Sequence, residues 1–148
     1  MKGIAMHALF SLIEALTTIQ PGTAQQLEEA LQAQIVLKKE NDYYRFWGIN
    51  DPLELGNGVR INRVNYATPK KDPKPPSITL DDISGTCISR EALREKFGHL
   101  GFPYPPNNPA PRARTTWRIE INGIEVGFGF RNDNPDCLSS IGMRFSRM

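Results

Sequence analysis

The sequence predicts an α+β protein, in which an antiparallel β-sheet meander packs against an N-terminal helical hairpin and a further short helix. A strand hairpin at 114–130 has one apolar face and one polar face. Apolar residues at helical spacing over 4–19 indicate an amphipathic helix. Short turns connect the strand-like stretches, which argues against parallel βαβ units.

The hairpin is the clearest local pattern. Asn122-Gly123 favours a two-residue type I′ turn, because both central residues of that turn need a positive φ. Folding there puts three apolar pairs on one face: Ile121 with Ile124, Ile119 with Val126 and Trp117 with Phe128. The other face carries Arg118, Glu120, Glu125, Gly127 and Gly129. We therefore predict a core face and a polar face.

Three helices are expected. The stripe at 4–19 also resembles a short signal peptide, but Glu14 interrupts its apolar run, so we interpret it as a folded helix. Thr23 caps a second helix, with Gln26 placed to complete a capping box. Ser89 caps a third helix that runs to Phe97.

The chain divides into two similar parts within one compact domain. Residues 1–67 hold the helical hairpin and a first β-meander, and 68–77 form a Pro/Lys-rich linker. Residues 78–148 hold the short helix and the C-terminal β-meander. Trp47 and Trp117 occupy similar places, which fits duplicated helix-plus-hairpin halves, although no residue-level repeat is visible.

Composition argues against nucleic acid and membrane partners. The formal net charge of the 148 residues is +2, too small to favour either nucleic acid or an anionic membrane. No apolar run approaches the roughly 20 residues of a membrane span. The stretch 126–130 imitates an RNA-recognition strand. Phe128 and Phe130 share the face of Trp117, however, so we predict that they belong to the core.

The two cysteines leave two alternatives open. Cys87 and Cys137 are too few for a zinc or iron-sulfur site, so no metal is expected. They form a disulfide if the protein lives in an oxidising compartment. The alternative is a pair of buried free thiols in a cytoplasmic protein.

No catalytic motif stands out, and the chain is not expected to be an enzyme. The sequence has no nucleophile elbow, no zinc-protease motif and no phosphate-binding glycine loop, so no cofactor is expected. His7 lies in the first helical stripe and His99 follows a helix C-terminus, and both suit structural roles.

Glu120 and Glu125 face each other across the hairpin, as paired acid/base carboxylates would. Arg118 and Arg131 lie on the same face and are expected to neutralise them, which makes a charged, solvated surface the preferred interpretation. A small-molecule enzyme with a cleft carboxylate, or with Cys87 as a reactive group, remains an alternative.

The outer polar face has the composition of a protein-binding surface. Gly127 and Gly129 leave bare backbone, and glycine in a strand often marks the close approach of another chain. Tyr43 and Tyr44 point to opposite faces, so at least one is exposed, together with Tyr104 in a proline-rich loop. Tyrosines beside charges are typical of binding hot spots.

The second half resembles small periplasmic immunity or inhibitor proteins of bacteria. The segments that carry this resemblance are 87–93 continuing to Phe97-Gly98, the Trp117 strand, 127–130 and 135–138. A helix followed by an antiparallel meander, twice, with a disulfide, is also similar to the β-lactamase-inhibitor-protein architecture. Effector-immunity proteins of type VI secretion systems include folds of this kind.

The resemblance implies a protein that binds a toxic effector enzyme, with a hydrolase as first candidate, and blocks its active site without turnover. It implies a periplasmic location, whereas free thiols would indicate the cytoplasm. The expected partner-binding residues are Tyr43, Tyr44, Tyr104, Arg118, Glu120, Glu125 and Arg131. An envelope-assembly or lipoprotein-type binding module is the alternative.

Overall fold

The computed structural model describes residues 2–71, 74–106 and 109–145, and all their side chains except those of 2–7 and 57. Within these ranges the chain forms three α-helices and one nine-stranded antiparallel sheet. The helices are α1 Lys2–Ile19, α2 Ala24–Leu31 and α3 Arg90–Phe97. The strands are β1 Val36–Glu40, β2 Tyr44–Gly48, β3 Leu53–Leu55, β4 Val59–Pro69, β5 Ser77–Gly85, β6 Pro103–Tyr104, β7 Arg114–Ile121, β8 Ile124–Arg131 and β9 Asn134–Arg144. The predicted α+β class is confirmed.

Two meanders meet in the middle of the sheet. The strand order is β1-β2-β4-β5-β9-β8-β7-β6, with β3 paired to β4 beside this path. In the structure the division falls after β5 and not at 68–77: α1 and α2 precede a meander that ends with β5, and α3 precedes one that ends with β9. These two last strands, β5 and β9, lie side by side at the centre of the sheet. Trp47 lies on β2 and Trp117 on β7, the second strand of each meander. This symmetric order is the one that duplicated halves would produce.

The hairpin of β7 and β8 has the predicted register. Its facing pairs are Trp117 with Phe128, Ile119 with Val126 and Ile121 with Ile124. Asn122 has a φ of 52° and Gly123 a φ of 80°, as a type I′ turn requires. The Asn122 amide also donates to the Thr17 hydroxyl at 3.0 Å, so the turn docks on the end of α1.

The core lies between the helices and the Phe128 face of the sheet. Phe128 is fully buried and stacks on Phe97 of α3, with ring centroids 6.0 Å apart. Phe97 in turn meets Phe10 of α1 edge-on at 5.4 Å. Phe130 is 2% exposed, so both rings of the RNA-like stretch are core residues, as predicted.

The N-terminal stripe is confirmed as a folded helix. Its buried apolar side chains are Leu9, Phe10, Leu12, Ile13 and Leu16. No helix among the described residues is both long enough and apolar enough to cross a membrane. The chain after α1 is held by Tyr66 of β4, whose hydroxyl donates to the Pro21 carbonyl at 2.7 Å. Burial raises the pKa of Tyr66 well above its ordinary value.

Strand β5 was not predicted from the sequence. Ile78 and Leu80 alternate with polar residues, but Asp81-Asp82 then interrupts the alternation. Asp82 has a φ of 52°, in the left-handed region, and the side chain that next faces the core is Ile83. Because two acidic residues are adjacent and the core-facing positions shift by one residue, the sequence lacks the alternation that would predict a strand here.

The facing strand β4 changes phase at the same level. Its buried residues include Ile61 and then Val64, a spacing of three instead of two. Asn62 bridges the irregularity, because its amide donates to the Asp82 carbonyl at 2.7 Å and to the Ser84 hydroxyl at 2.9 Å. Both strands therefore return their apolar residues to the core together.

The linker expected at 68–77 joins two neighbouring strands of the same sheet. β4 continues to Pro69 and β5 begins at Ser77, and the two strands pair antiparallel along most of their length. Residues 72–73 of the linker lie outside the described residues. The two predicted halves thus share one sheet.

The two borders of the sheet are short or irregular. β1 has a register shift between Leu37 and Lys39. Its exposed residues include Lys38 and Glu40. At the other border, β6 has only two residues and begins with Pro103, which has no N–H to donate.

A disulfide joins the two halves of the chain. Cys87 and Cys137 are bonded, with their Cα atoms 5.0 Å apart and 50 positions between them in sequence. Cys87 follows β5 and Cys137 lies in β9, so the bond links the ends of the two central strands. The free-thiol alternative is therefore wrong.

We expect the disulfide to be a major source of stability. Replacing both cysteines by serine should lower the free energy of unfolding by about 4 kcal/mol, because a 50-residue loop loses its closure in the unfolded chain. Urea denaturation of the double variant and of the oxidised protein measures the difference. A loss below about 1 kcal/mol would show that the unfolded chain is already restricted there.

Candidate functional site

The sheet face opposite the helices, which we call the outer face, is open. Its central strands β5, β9, β8 and β7 line a groove with a volume of about 600 Å³. The side chains and glycines in this groove include Ser77, Thr79, Arg114, Thr116, Arg118, Glu125, Gly127, Gly129, Ser140, Gly142 and Arg144. Small residues occupy its middle, and charged residues lie around them.

The glycines on β8 make room for side chains of this chain itself. A Cβ atom on Gly127 would lie 3.0 Å from the Thr116 methyl. A Cβ atom on Gly129 would overlap the Ser140 hydroxyl and lie 3.1 Å from Cδ of Arg114. The close approach that the sequence indicated is therefore an approach of neighbouring strands, with the Arg114 side chain lying over Gly129.

Arg114 uses that space to reach across the sheet. Its Nη2 donates to Oδ1 of Asp81 at 2.8 Å, although β8 and β9 lie between the two strands. Nη2 of Arg63 on β4 donates to the other carboxylate oxygen at 3.0 Å. Asp81 is only 8% exposed, so two arginines neutralise a carboxylate at the floor of the outer face. Its members are 18 and 33 positions apart in the sequence, so no local pattern predicts the cluster.

A second cavity lies where the two central strands separate. The pairing of β5 with β9 ends at Leu80 and Ile141, and the next bond between these segments runs from the Leu138 N–H to the Ile88 carbonyl at 2.8 Å. The opening holds a pocket of about 160 Å³. We call it the arginine pocket; its lining is Arg63, Arg112, Arg114, Arg131, Asp81, Asp82 and Ser139.

The two hairpin glutamates face each other as predicted, but among the described residues neither Arg118 nor Arg131 forms an ion pair with them. Glu120 and Glu125 are facing partners in the register and are both exposed. Arg131, however, donates from Nε to Oδ1 of Asp133 at 2.9 Å, and these hydrogen bonds raise its pKa. Arg131 therefore pairs with its own turn, and the expectation that it neutralises the glutamates is wrong.

The remaining predicted residues fall into two groups. Arg118 lies over the Tyr104 ring, with its guanidinium carbon 4.4 Å from the ring centroid, at the β6 border. Tyr44 lines a pocket of about 440 Å³ on β2, near the opposite border. Tyr43 is 67% exposed in the turn before it. Four strands separate Tyr44 from Arg118, so these two residues mark the two ends of the outer face, and Tyr43 lies in the turn beside one of them.

Three cavities of the outer face are lined by more basic than acidic side chains. The groove, the arginine pocket and the Tyr44 pocket are lined by seven basic and three acidic side chains, a formal charge of +4. The whole chain carries +2. The basic residues are Arg63, Lys74, Arg112, Arg114, Arg118, Arg131 and Arg144, and the acidic residues are Asp81, Asp82 and Glu125.

Metal-ligating side chains do not gather on this surface. Across the described ranges, no group of three or more His, Cys, Asp or Glu side chains could hold a metal ion. Both cysteines are used in the disulfide. The outer face thus presents charge, hydrogen-bond donors and aromatic rings.

The comparisons with known proteins leave the geometry as the basis for any functional argument. No protein-family model matches the chain, and no curated protein and no solved structure is significantly similar to it. The resemblance to immunity and inhibitor proteins therefore stays a hypothesis.

We expect the Asp81 carboxylate to contribute measurably to stability. The Asp81→Asn variant should lose about 2 kcal/mol of unfolding free energy, because two guanidinium groups would lose their counter-charge. Glu54→Gln is the matched control, since its pair with Arg60 at 2.6 Å is largely exposed and should contribute under about 0.5 kcal/mol. Equal urea midpoints for the two variants would contradict a structural role for Asp81.

Gly129 should tolerate no side chain. We expect Gly129→Ala to cost about 1–3 kcal/mol, because its methyl group would push against Ser140 and Arg114. Gly56→Ala is the control, since a Cβ atom there has no neighbour within 4 Å. Thermal denaturation of both variants tests this; unchanged stability of Gly129→Ala would mean that Arg114 does not need to lie over the glycine.

Proposed function

We propose that this chain is an immunity or inhibitor protein whose outer face binds a toxic effector enzyme, with a hydrolase as first candidate, and blocks its active site. The observation that carries the proposal is the open, basic outer face of a sheet whose other face is packed with helices. Such a surface can bind a partner protein without catalysing a reaction.

The composition of the face suits a protein interface. Arginine and tyrosine are the residue types most enriched at binding hot spots, and both ends of the outer face present them. Tyr104 is 53% exposed beneath Arg118, and Tyr43 is 67% exposed at the far end. The small residues between these ends give a partner loop room to lie along the groove.

The rigidity of the face favours tight binding. The strands that line the groove are hydrogen-bonded to neighbours on both sides, and the Asp81 cluster fixes Arg63 and Arg114 in place. Side chains already held in their binding geometry lose less entropy when a partner arrives.

The charge of the face favours an acidic protein partner over nucleic acid. The formal charge of +4 attracts an acidic surface and speeds encounter. Asp82 and Glu125 lie among the arginines, however, and they would repel a continuous phosphate backbone.

The disulfide is compatible with an oxidising compartment, because such bonds form and persist there. This supports the periplasmic location that we propose for the protein. An inhibitor in that compartment meets effectors that act on the cell envelope.

Capture experiments with outer-face variants test the proposal. The oxidised protein should retain a hydrolase from the native host and inhibit it at a one-to-one ratio after purification. Arg118→Glu should weaken the purified complex at least roughly tenfold, because it reverses a charge at one end of the interface. Isothermal titration calorimetry measures the affinity, and an activity assay of the captured enzyme measures inhibition.

Arg60→Glu is the control for that experiment. Arg60 pairs with Glu54 of β3 and does not line the groove, so the same change of charge there should leave affinity unchanged. An equal loss of affinity in both variants would show that binding depends on the overall charge of the protein and not on the groove. Recovery of envelope-assembly proteins alone, or of nucleic acid, would contradict the immunity function.

A further inference from the structure

We infer that the arginine pocket is an oxyanion subsite that accepts one carboxylate side chain of the partner. This inference rests on the proposed function for the identity of the partner, and on the pocket's own geometry for its chemistry. The pocket opens where β5 and β9 separate, at the edge of the outer-face groove, and Arg114 lines both.

The guanidinium donors of the pocket exceed its acceptors. Asp81 accepts one bond from Arg63 and one from Arg114, and Arg131 pairs with Asp133. Nε of Arg114 is buried and has no hydrogen-bond partner. A buried N–H without an acceptor costs free energy, which an incoming oxyanion would recover.

Arg112 supplies a second unused group. Within the described residues its side chain has no hydrogen bond or ion pair, yet it lines the pocket. A planar guanidinium presents donors in a fork that matches a carboxylate. Arg112 is therefore the donor set open to a ligand, and it lines the pocket beside Arg114, whose buried Nε has no acceptor.

The backbone beside the pocket is fixed before any ligand binds. The Asn132 N–H donates to the Ala113 carbonyl at 2.8 Å, and the Asp133 N–H donates to the Pro111 carbonyl at 3.0 Å. These bonds tie the segment that carries Arg112 to the turn between β8 and β9. Arg112 is thus held at the pocket by its main chain, so only its side-chain rotamer remains to be ordered on binding.

The size and charge of the pocket favour a carboxylate over a phosphate. A volume of about 160 Å³ admits a small acidic group and excludes a nucleotide. Asp81 and Asp82 lie in the same lining, and like-charge repulsion disfavours a doubly charged phosphate more than a singly charged carboxylate. An Asp or Glu side chain of the partner meets both conditions.

Titration with small anions tests the subsite without a partner. Sodium acetate and then sodium phosphate are added to ¹⁵N-labelled protein, in exchange for chloride at constant ionic strength, while NMR follows the arginine Nε–H and the Ser139 amide signals. We expect acetate to shift the Arg114 Nε–H and Ser139 signals along a saturating curve. Exposed arginines outside the pocket should show only small, linear changes.

Two variants identify the donors. Arg112→Gln should weaken acetate binding roughly tenfold, because it removes a charged hydrogen-bond donor, and the fold should persist since that side chain bonds to no described residue. Arg60→Gln removes the same charge outside the pocket and should leave the curve unchanged. Urea denaturation of both variants checks that the fold is intact.

The outcomes separate this inference from the proposed function. NMR signals that change linearly with acetate concentration, or equal acetate-binding curves for Arg112→Gln and the unsubstituted protein, would overturn the subsite. Saturation by phosphate but not by acetate would overturn the carboxylate assignment. Saturating acetate binding that depends on Arg112 would support the subsite even if capture recovers no enzyme, in which case only the immunity function fails.

Discussion

The two meanders meet along one strand pair, β5 with β9, and the outer face depends on how this junction is held. Backbone pairing covers only part of it and stops at Leu80 and Ile141. Beyond that point the Cys87–Cys137 disulfide fixes the strand ends, and an ion pair to Asp81 spans the junction from β7. The backbone pairing, the disulfide and a partly buried ion pair thus hold the two half-sheets together as one surface.

Local patterns predicted the parts of the fold that local chemistry decides. Asn122-Gly123 and the alternation around it specify their own turn and register, so the hairpin follows from one continuous segment, 114–131. β5 was missed because Asp81 and Asp82 look like a turn when read alone. In the strand these carboxylates form ion pairs with arginines of β4 and β7, which are distant in sequence.

The candidate site, like the fold, could be predicted only where local sequence patterns decide it. The hairpin pattern predicts correctly that Glu120 and Glu125 face each other. It does not predict the partner of Arg131, because Asp133, two residues away, binds that side chain instead. Nothing near Arg114 in the sequence predicts that its side chain crosses two strands. Gly129 was the one available signal: a glycine in a strand marks close approach, although not by which group.

The borders of the sheet decide how a partner can approach. An unpaired border normally invites another chain to continue the ladder. Here one border is irregular and charged, and the other is two residues long and begins with a proline. Both borders are therefore poor templates for a further strand. A partner that binds this sheet is favoured to contact the side chains of its outer face instead of extending the backbone ladder.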